Sequence, residues 1–249
     1  MTAAEILGLA AQVGVGPGAT VLDVCCGTAG PGRFLTGELG CVYLGVDHSA
    51  SAVALARARA GDQACRFAVA QVPPLRAGSF DVVLLLETML AFEDKDALLR
   101  EIAAALGPRG RFAFTLEEGP RLTAAERAAM PDADTVWLTP LEEMIGSLER
   151  AGLVVTSQAD HSRAHAATAR ALASAFAADA AAIAAQIGRR ALDELLTAHR
   201  LWAEWLDEGR VRKLAMVAER RTPLPSRACA ARARPAARAS RAPAARRDG

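Results

Sequence analysis

The chain has 249 residues, 52% of them apolar, and 29 Lys and Arg against 28 Asp and Glu give a formal net charge of +1. That length supports one sizeable core, or a core with a small appended part. The sequence starts without a basic, apolar leader pattern and has no uncharged apolar run long enough to span a bilayer, so a cytoplasmic protein without a membrane partner is expected. Its five cysteines (Cys25, Cys26, Cys41, Cys65, Cys229) form no Cys-x-x-Cys pair and no cluster with the four histidines, which argues against a metal site or a disulfide framework.

In chain order, residues 3–13 read as a short helix broken by Gly14 to Gly18, and the apolar run 20–26 reads as a buried strand. A helix over 31–39, a strand over 41–46, a helix over 50–60, a strand over 66–70, a strand over 80–86, a helix over 94–106 and a strand over 111–116 follow. Past a loop at 117–138 come a helix at 140–150 and a strand at 153–158. Leu172, Phe176, Ala180, Ile183 and Ile187, then Leu192, Leu195, His199, Trp202 and Leu206, recur at helical spacing on either side of Gly188. Residues 211–219 read as a last strand. Continuous apolar strands alternating with helices predict a doubly wound, mostly parallel seven-stranded α/β sheet over 1–221, with a two-helix cap at 163–209 inserted before the final strand.

The segment 222–249 holds seven arginines against Asp248, a charge of +6, which leaves about −5 for residues 1–221. A mildly acidic body is the wrong face for phosphates, so no nucleic-acid partner is expected for it. The Ala/Arg/Pro-rich tail has no periodic apolar face and is expected to be disordered, with a nucleic-acid or membrane-surface role as the alternative. A monomer or a homodimer is expected.

The stretch Val21–Gly32, VLDVCCGTAGPG, joins a buried strand to a glycine loop that opens a helix, which puts free backbone N–H groups beside whatever binds there. The frame Cys25-x-Gly27-x-x-Gly30 lacks the first glycine of the dinucleotide fingerprint. Asp23, two residues before the loop, would repel a pyrophosphate and favour an ammonium. The expected ligand therefore carries both an anion and a cation, as an amino-acid moiety does. Cys25 and Cys26 read as small residues tucked into the turn, with a reactive thiol as the alternative.

VLDVCCGTAG followed by LGVDHSASAVALARARA resembles the first two motifs of the class I S-adenosylmethionine-dependent methyltransferases, and the similarity runs on through GSFDVVLLLETM and ALLREIAAALGPRGRFAFTLEE, covering about residues 3–158. The resemblance implies S-adenosyl-L-methionine as cofactor and a small-molecule acceptor. By position it puts Asp23, Cys25, Gly27 and Ala29 at the methionine end of the cofactor, Asp47 on the ribose hydroxyls with His48 beside it, and Gln71 and Val72 against the adenine. Leu86 and Glu87 would face the methionine amine and the reacting centre. The family's usual three glycines are Cys25, Gly27 and Ala29 here, and its usual acid near the adenine is Gln71. For Asp47 and Glu87 the alternative role is to cap the helix that follows. His199 is the candidate base, with a core histidine as the alternative; His161 and His165 read as facing water, with the pocket as the alternative, and Trp202 and Trp205 as core, with an apolar pocket wall as the alternative. Folded over the sheet edge, the cap would shape an acceptor pocket from Leu195, His199 and Trp202. A nicotinamide-type oxidoreductase and a non-catalytic S-adenosylmethionine-binding relative stay open beside the methyltransferase reading.

Overall fold

The computed structural model describes residues 1–75 and 78–221; the tail 222–249 lies outside the described residues. Seven strands, β1 (Thr20–Val24), β2 (Val42–Asp47), β3 (Cys65–Val69), β4 (Phe80–Leu85), β5 (Leu106–Glu118), β6 (Leu153–Asp160) and β7 (Arg212–Arg220), form one sheet in the order β3-β2-β1-β4-β5-β7-β6. Pairing is parallel from β3 to β5, while β7 runs antiparallel to both β5 and β6. The expected doubly wound, mostly parallel sheet is what forms.

Local sequence sets the helices on either face. On one face lie α1 (Ala3–Val13), α2 (Gly30–Leu39) and α3 (Ala50–Ala60), burying Leu9, Val13, Leu35, Val53 and Ala56 against Val21, Tyr43 and Val82. Helix α1 begins in a Thr2–Glu5 capping box and α3 on the Ser49 side chain. The other face is covered by α4 (Lys95–Ala105), capped by Asp94, and α6 (Leu141–Arg150), burying Leu98, Ile102, Met144 and Leu148 against Leu22, Val83 and Phe114. Gly32 in α2 is required by packing: a Cβ there would sit 2.0 Å from the ring of Tyr43.

Three boundaries differ from expectation. Strand β1 ends at Val24, so both cysteines belong to the loop. Strand β5 starts at Leu106, which pairs with Phe80, and the segment 107–110 is absorbed by a register shift between Phe80 and Val82. The expected loop 117–138 opens with the last two residues of β5 and contains α5 (Ala124–Ala129), which has its own Thr123–Glu126 capping box. Helix α5 buries no residue, so it leaves no apolar period to read.

Between β6 and β7 the chain forms three helices where two were expected: α7 (Ser162–Ala178), α8 (Ala180–Ile187) and α9 (Arg189–Asp207). Asp179, at φ −100° and ψ 21°, ends α7 and starts α8. Asp is a poor interior helix residue because its side chain competes for nearby backbone groups, and the Ala-rich flanks conceal that break in the periodicity. Leu122, Met130, Leu138, Trp205 and Val211 form a separate small core beneath α9. Among the described residues no helix is long and apolar enough to cross a membrane.

Candidate active site

The sheet order reverses at β1, whose neighbours are β2 and β4, and in open α/β sheets ligands sit at the carboxyl ends of the strands beside such a switch point. The loop after β1 is held in left-handed backbone at three alternate positions, Cys25 (φ 60°), Gly27 (φ 53°) and Ala29 (φ 56°). These are the positions where the resembled family carries glycine. Two L-residues thus sit in a conformation that costs roughly 1–2 kcal/mol each. Ala29 is the N-cap of α2 and makes no side-chain cap bond, so the first N–H groups of that helix are left for a ligand. The strain is testable by thermal melting. Cys25→Gly is expected to hold stability to within about 1 kcal/mol, while Cys25→Val, β-branched in the same backbone, loses about 2 kcal/mol or more.

Asp47 ends β2 half-enclosed by this loop. Its Oδ2 accepts the Gly27 N–H at 2.8 Å and its Oδ1 the Ser49 N–H at 2.8 Å. The cap of α3 is Ser49, so Asp47 braces the glycine loop from the second strand and does not cap the helix. Cys25, Asp47, His48, Gln71, Val72, Thr88 and Phe92 line one cavity of about 260 Å³. His48 lies 3.5 Å from the Asp47 carboxylate with its side chain 75% exposed. Burial first, then the carboxylates of Asp47 and Asp23, push the Cys25 thiol up to about 12. It stays a neutral thiol, inert as a nucleophile.

Asp23 is 3% exposed and does not line this cavity. It lies beneath the loop, where its Oδ2 accepts the Tyr43 hydroxyl at 2.6 Å. Burial dominates and lifts its carboxyl to about 7; the Tyr43 hydrogen bond opposes this, and the Asp47 charge adds to it. Ala29 is likewise buried, and Leu86 packs half-buried against the α1–α3 core.

A second cavity, of about 280 Å³, opens next to the first, between the sheet edge and α7 and α9. Glu87, Glu117 and Lys213 lie on its sheet side and His165, His199 and Trp202 on its helical side. Glu87 is held in left-handed backbone (φ 62°) with its N–H on the Thr115 hydroxyl at 2.7 Å, and its side chain is 42% exposed. The Lys213 ammonium, 3% exposed, donates to Glu87 Oε2 at 2.8 Å and to Glu117 Oε1. Burial alone would raise the Glu87 carboxyl, but Lys213, the Met1 N-terminal ammonium 4.0 Å away and His165 together outweigh it and hold Glu87 below the usual carboxylate range. Burial likewise disfavours the Lys213 charge, and Glu117 and Glu87 overcome it and raise the ammonium above its usual range. Behind Glu117, Lys95 is buried on the carbonyls of Phe92 and Trp137; burial lowers it to about 8, against the pull of Glu117.

The structure thus gathers Cys25, Asp47, His48, Gln71 and Val72 at one cavity, and Glu87 with His199 at its neighbour. It leaves Asp23, Ala29 and Leu86 beneath the surface. His199 Nδ1 lies 2.8 Å from the Leu195 carbonyl, which can only accept, so Nδ1 carries a proton and Nε2 is the ring nitrogen left outside that bond. Sequence reasoning missed Lys213 and Glu117, and it read His165 as facing water where the structure lines the cavity with it. His165 falls on one face of α7 with Thr168, Ala169 and Leu172, a spacing that marks it as cavity-facing. Burial lowers its pKa, so it is neutral near pH 7. His161 bonds Glu5 at 3.0 Å and does not line the cavity.

Residues 22–114 match a protein family described as a methyltransferase domain. Methyltransferase GfsG of Streptomyces halstedii is 31% identical over 109 residues, covering 41% of this chain and 39% of that protein. The chloroplastic tocopherol O-methyltransferase of Arabidopsis thaliana is 29% identical over 117 residues, covering 45% of this chain and 34% of that protein. The chain therefore matches well under half the length of either relative. In fold it resembles the cyclopropane synthase MmaA2 of Mycobacterium tuberculosis, with a TM-score of 0.77 at 14% identity over 87% of this chain and 83% of that one.

Proposed function

Because residues 22–114 match a methyltransferase-domain family, we propose that the chain is a class I S-adenosylmethionine-dependent methyltransferase that methylates a small-molecule acceptor bound between the sheet edge and the helices inserted before β7. One observation carries this reading: two cavities of about 260 and 280 Å³ adjoin at the end of β4, where the consecutive residues Thr88 and Glu87 line one each. A cofactor in the first would present its reactive end to an acceptor in the second.

The residues present suit that cofactor. The uncapped N-terminus of α2 offers N–H groups to a carboxylate. Asp47 keeps free lone pairs on both oxygens for the ribose hydroxyls, and the Gln71 amide can accept from an exocyclic amine. When bound, S-adenosylmethionine supplies a methyl group already activated on a sulfonium. The chain then has to align a nucleophile, exclude water and, where needed, take up a proton. His199, whose Nδ1 is held by the Leu195 carbonyl so that Nε2 is the nitrogen left for the acceptor, is the group for that last task, and Glu87, fixed by Lys213, helps to orient the acceptor. The acceptor-side pocket formed by α7 and α9 supports a metabolite or natural-product substrate over a macromolecule.

Asp47→Asn tests the assignment. The amide keeps one acceptor oxygen of two and replaces the other by a donor, so S-adenosylhomocysteine binding is expected to weaken by about 1.5–3 kcal/mol. Calorimetry that finds unchanged affinity in a folded variant removes Asp47 from the site.

A further inference from the structure

The geometry points to a neutral acceptor for the second cavity: a compound with an apolar body one or two rings in size and a free hydroxyl, taken in preference to anionic or cationic analogues. This rests on the methyl-transfer reading above.

Charge selects against ions. Along the cavity floor Glu87, Lys213 and Glu117 alternate in sign, and Lys95 stands behind Glu117 as a second cation. Two carboxylates thus face three ammonium groups, the third being the Met1 N-terminus, which lines the cavity 4.0 Å from Glu87 Oε1. Each cation already has its partners, Lys213 on Glu87 and Glu117, Met1 against Glu87 and Lys95 on two backbone carbonyls, so a phosphate or carboxylate has to displace one of these contacts. A ligand ammonium meets a carboxylate that Lys213 already neutralises, and must shed its water for little return.

Hydrogen bonding selects a donor. On the sheet side the Glu87 carboxylate, 42% exposed, is an acceptor, and on the helical side the His199 ring presents Nε2. A hydroxyl satisfies either without bringing charge. Leu90, Ala169, Leu172, Trp202 and Leu206 make up the remaining wall, and about 280 Å³ suits a compact ring system.

The test compares three probes of one shape, 2-naphthol, 2-naphthyl phosphate and 2-naphthylmethylammonium, by calorimetry on the full chain with and without S-adenosylhomocysteine. 2-Naphthol is expected to bind at least tenfold more tightly than either ion. Glu87→Gln, which removes one negative charge from the row, is expected to move the phosphate-to-naphthol ratio at least fivefold toward phosphate. Wild-type protein that binds either ion as well as 2-naphthol overturns the inference. So does failure of 2-naphthol to bind up to its solubility limit, or an unmoved ratio in a folded Glu87→Gln variant. S-adenosylhomocysteine titrated alone separates the two ideas. If it fails to bind while the naphthol preference holds, the methyl-transfer reading falls; if it binds while the preference fails, only the preference falls.

Discussion

Asp23→Asn is expected to stabilise the protein by about 4 kcal/mol at pH 8 relative to its effect at pH 4, read from urea unfolding at both values. The carboxyl titrates near 7 in the fold and near 3.8 in the unfolded chain. Between those values the folded state binds the extra proton, so this group's contribution to stability falls as pH rises, by about 1.36 kcal/mol per pH unit. Below 3.8 both states are protonated and the penalty is absent; above 7 it is complete. An amide has the shape of the protonated acid, keeps an acceptor for the Tyr43 hydroxyl and never ionises. Any fixed cost of the amide is common to both pH values and cancels. A stability difference that does not change with pH would show that Asp23 titrates alike in both states. Calorimetry on the same variant asks why the acid is kept: if its charge serves the cofactor's ammonium, S-adenosylhomocysteine affinity drops in the more stable protein.

Lys213→Met is expected to cost about 3–5 kcal/mol, because it removes the cation shared by two carboxylates and leaves Glu117 buried without that partner. Glu117 Oε2 already has no hydrogen-bond partner among the described residues, so its side chain has no local substitute for the ammonium. Glu87 can turn toward solvent and contributes less. Adding Glu117→Gln is expected to restore most of the loss, and the double-mutant cycle should return a coupling of at least 1 kcal/mol. Additive single effects would place the stability of this region in the apolar packing of β7.

Much of the sheet was legible because a parallel strand covered on both faces is a continuous apolar run, and the few acids that end such runs stand out. Asp47 was found that way. Cys25 and Ala29 could be flagged only through the resemblance, which puts glycine at their positions in the first motif; nothing in their own chemistry announces a positive φ. Glu117 and Lys213 escaped for another reason. Each sits at the end of a strand where a charged residue reads as solvent-facing, and only the antiparallel register that sets Glu117 opposite Lys213, 96 residues later, buries the pair. Register between distant strands is a tertiary fact that neither strand's sequence records. The count of helices before β7 failed because alanine carries periodicity weakly: α8 has no buried residue to fix its phase.

The antiparallel placement of β7 has a consequence for how such a protein can change. Asp160, the last residue of β6, is in register with Leu214, near the start of β7, so the chain leaves and re-enters the sheet at adjacent points. Topologically, the three helices are the loop of a single β-hairpin. Loop length enters hairpin closure only logarithmically, so exchanging the whole helical segment costs the sheet little beyond lost packing. Cys25, Asp47 and Gln71, which line the first cavity, all lie on the far side of β4 from that hairpin. On the function proposed above, acceptor choice would then be rewritten as a cassette, by insertion or replacement between residues 161 and 211, with the first cavity left unaltered.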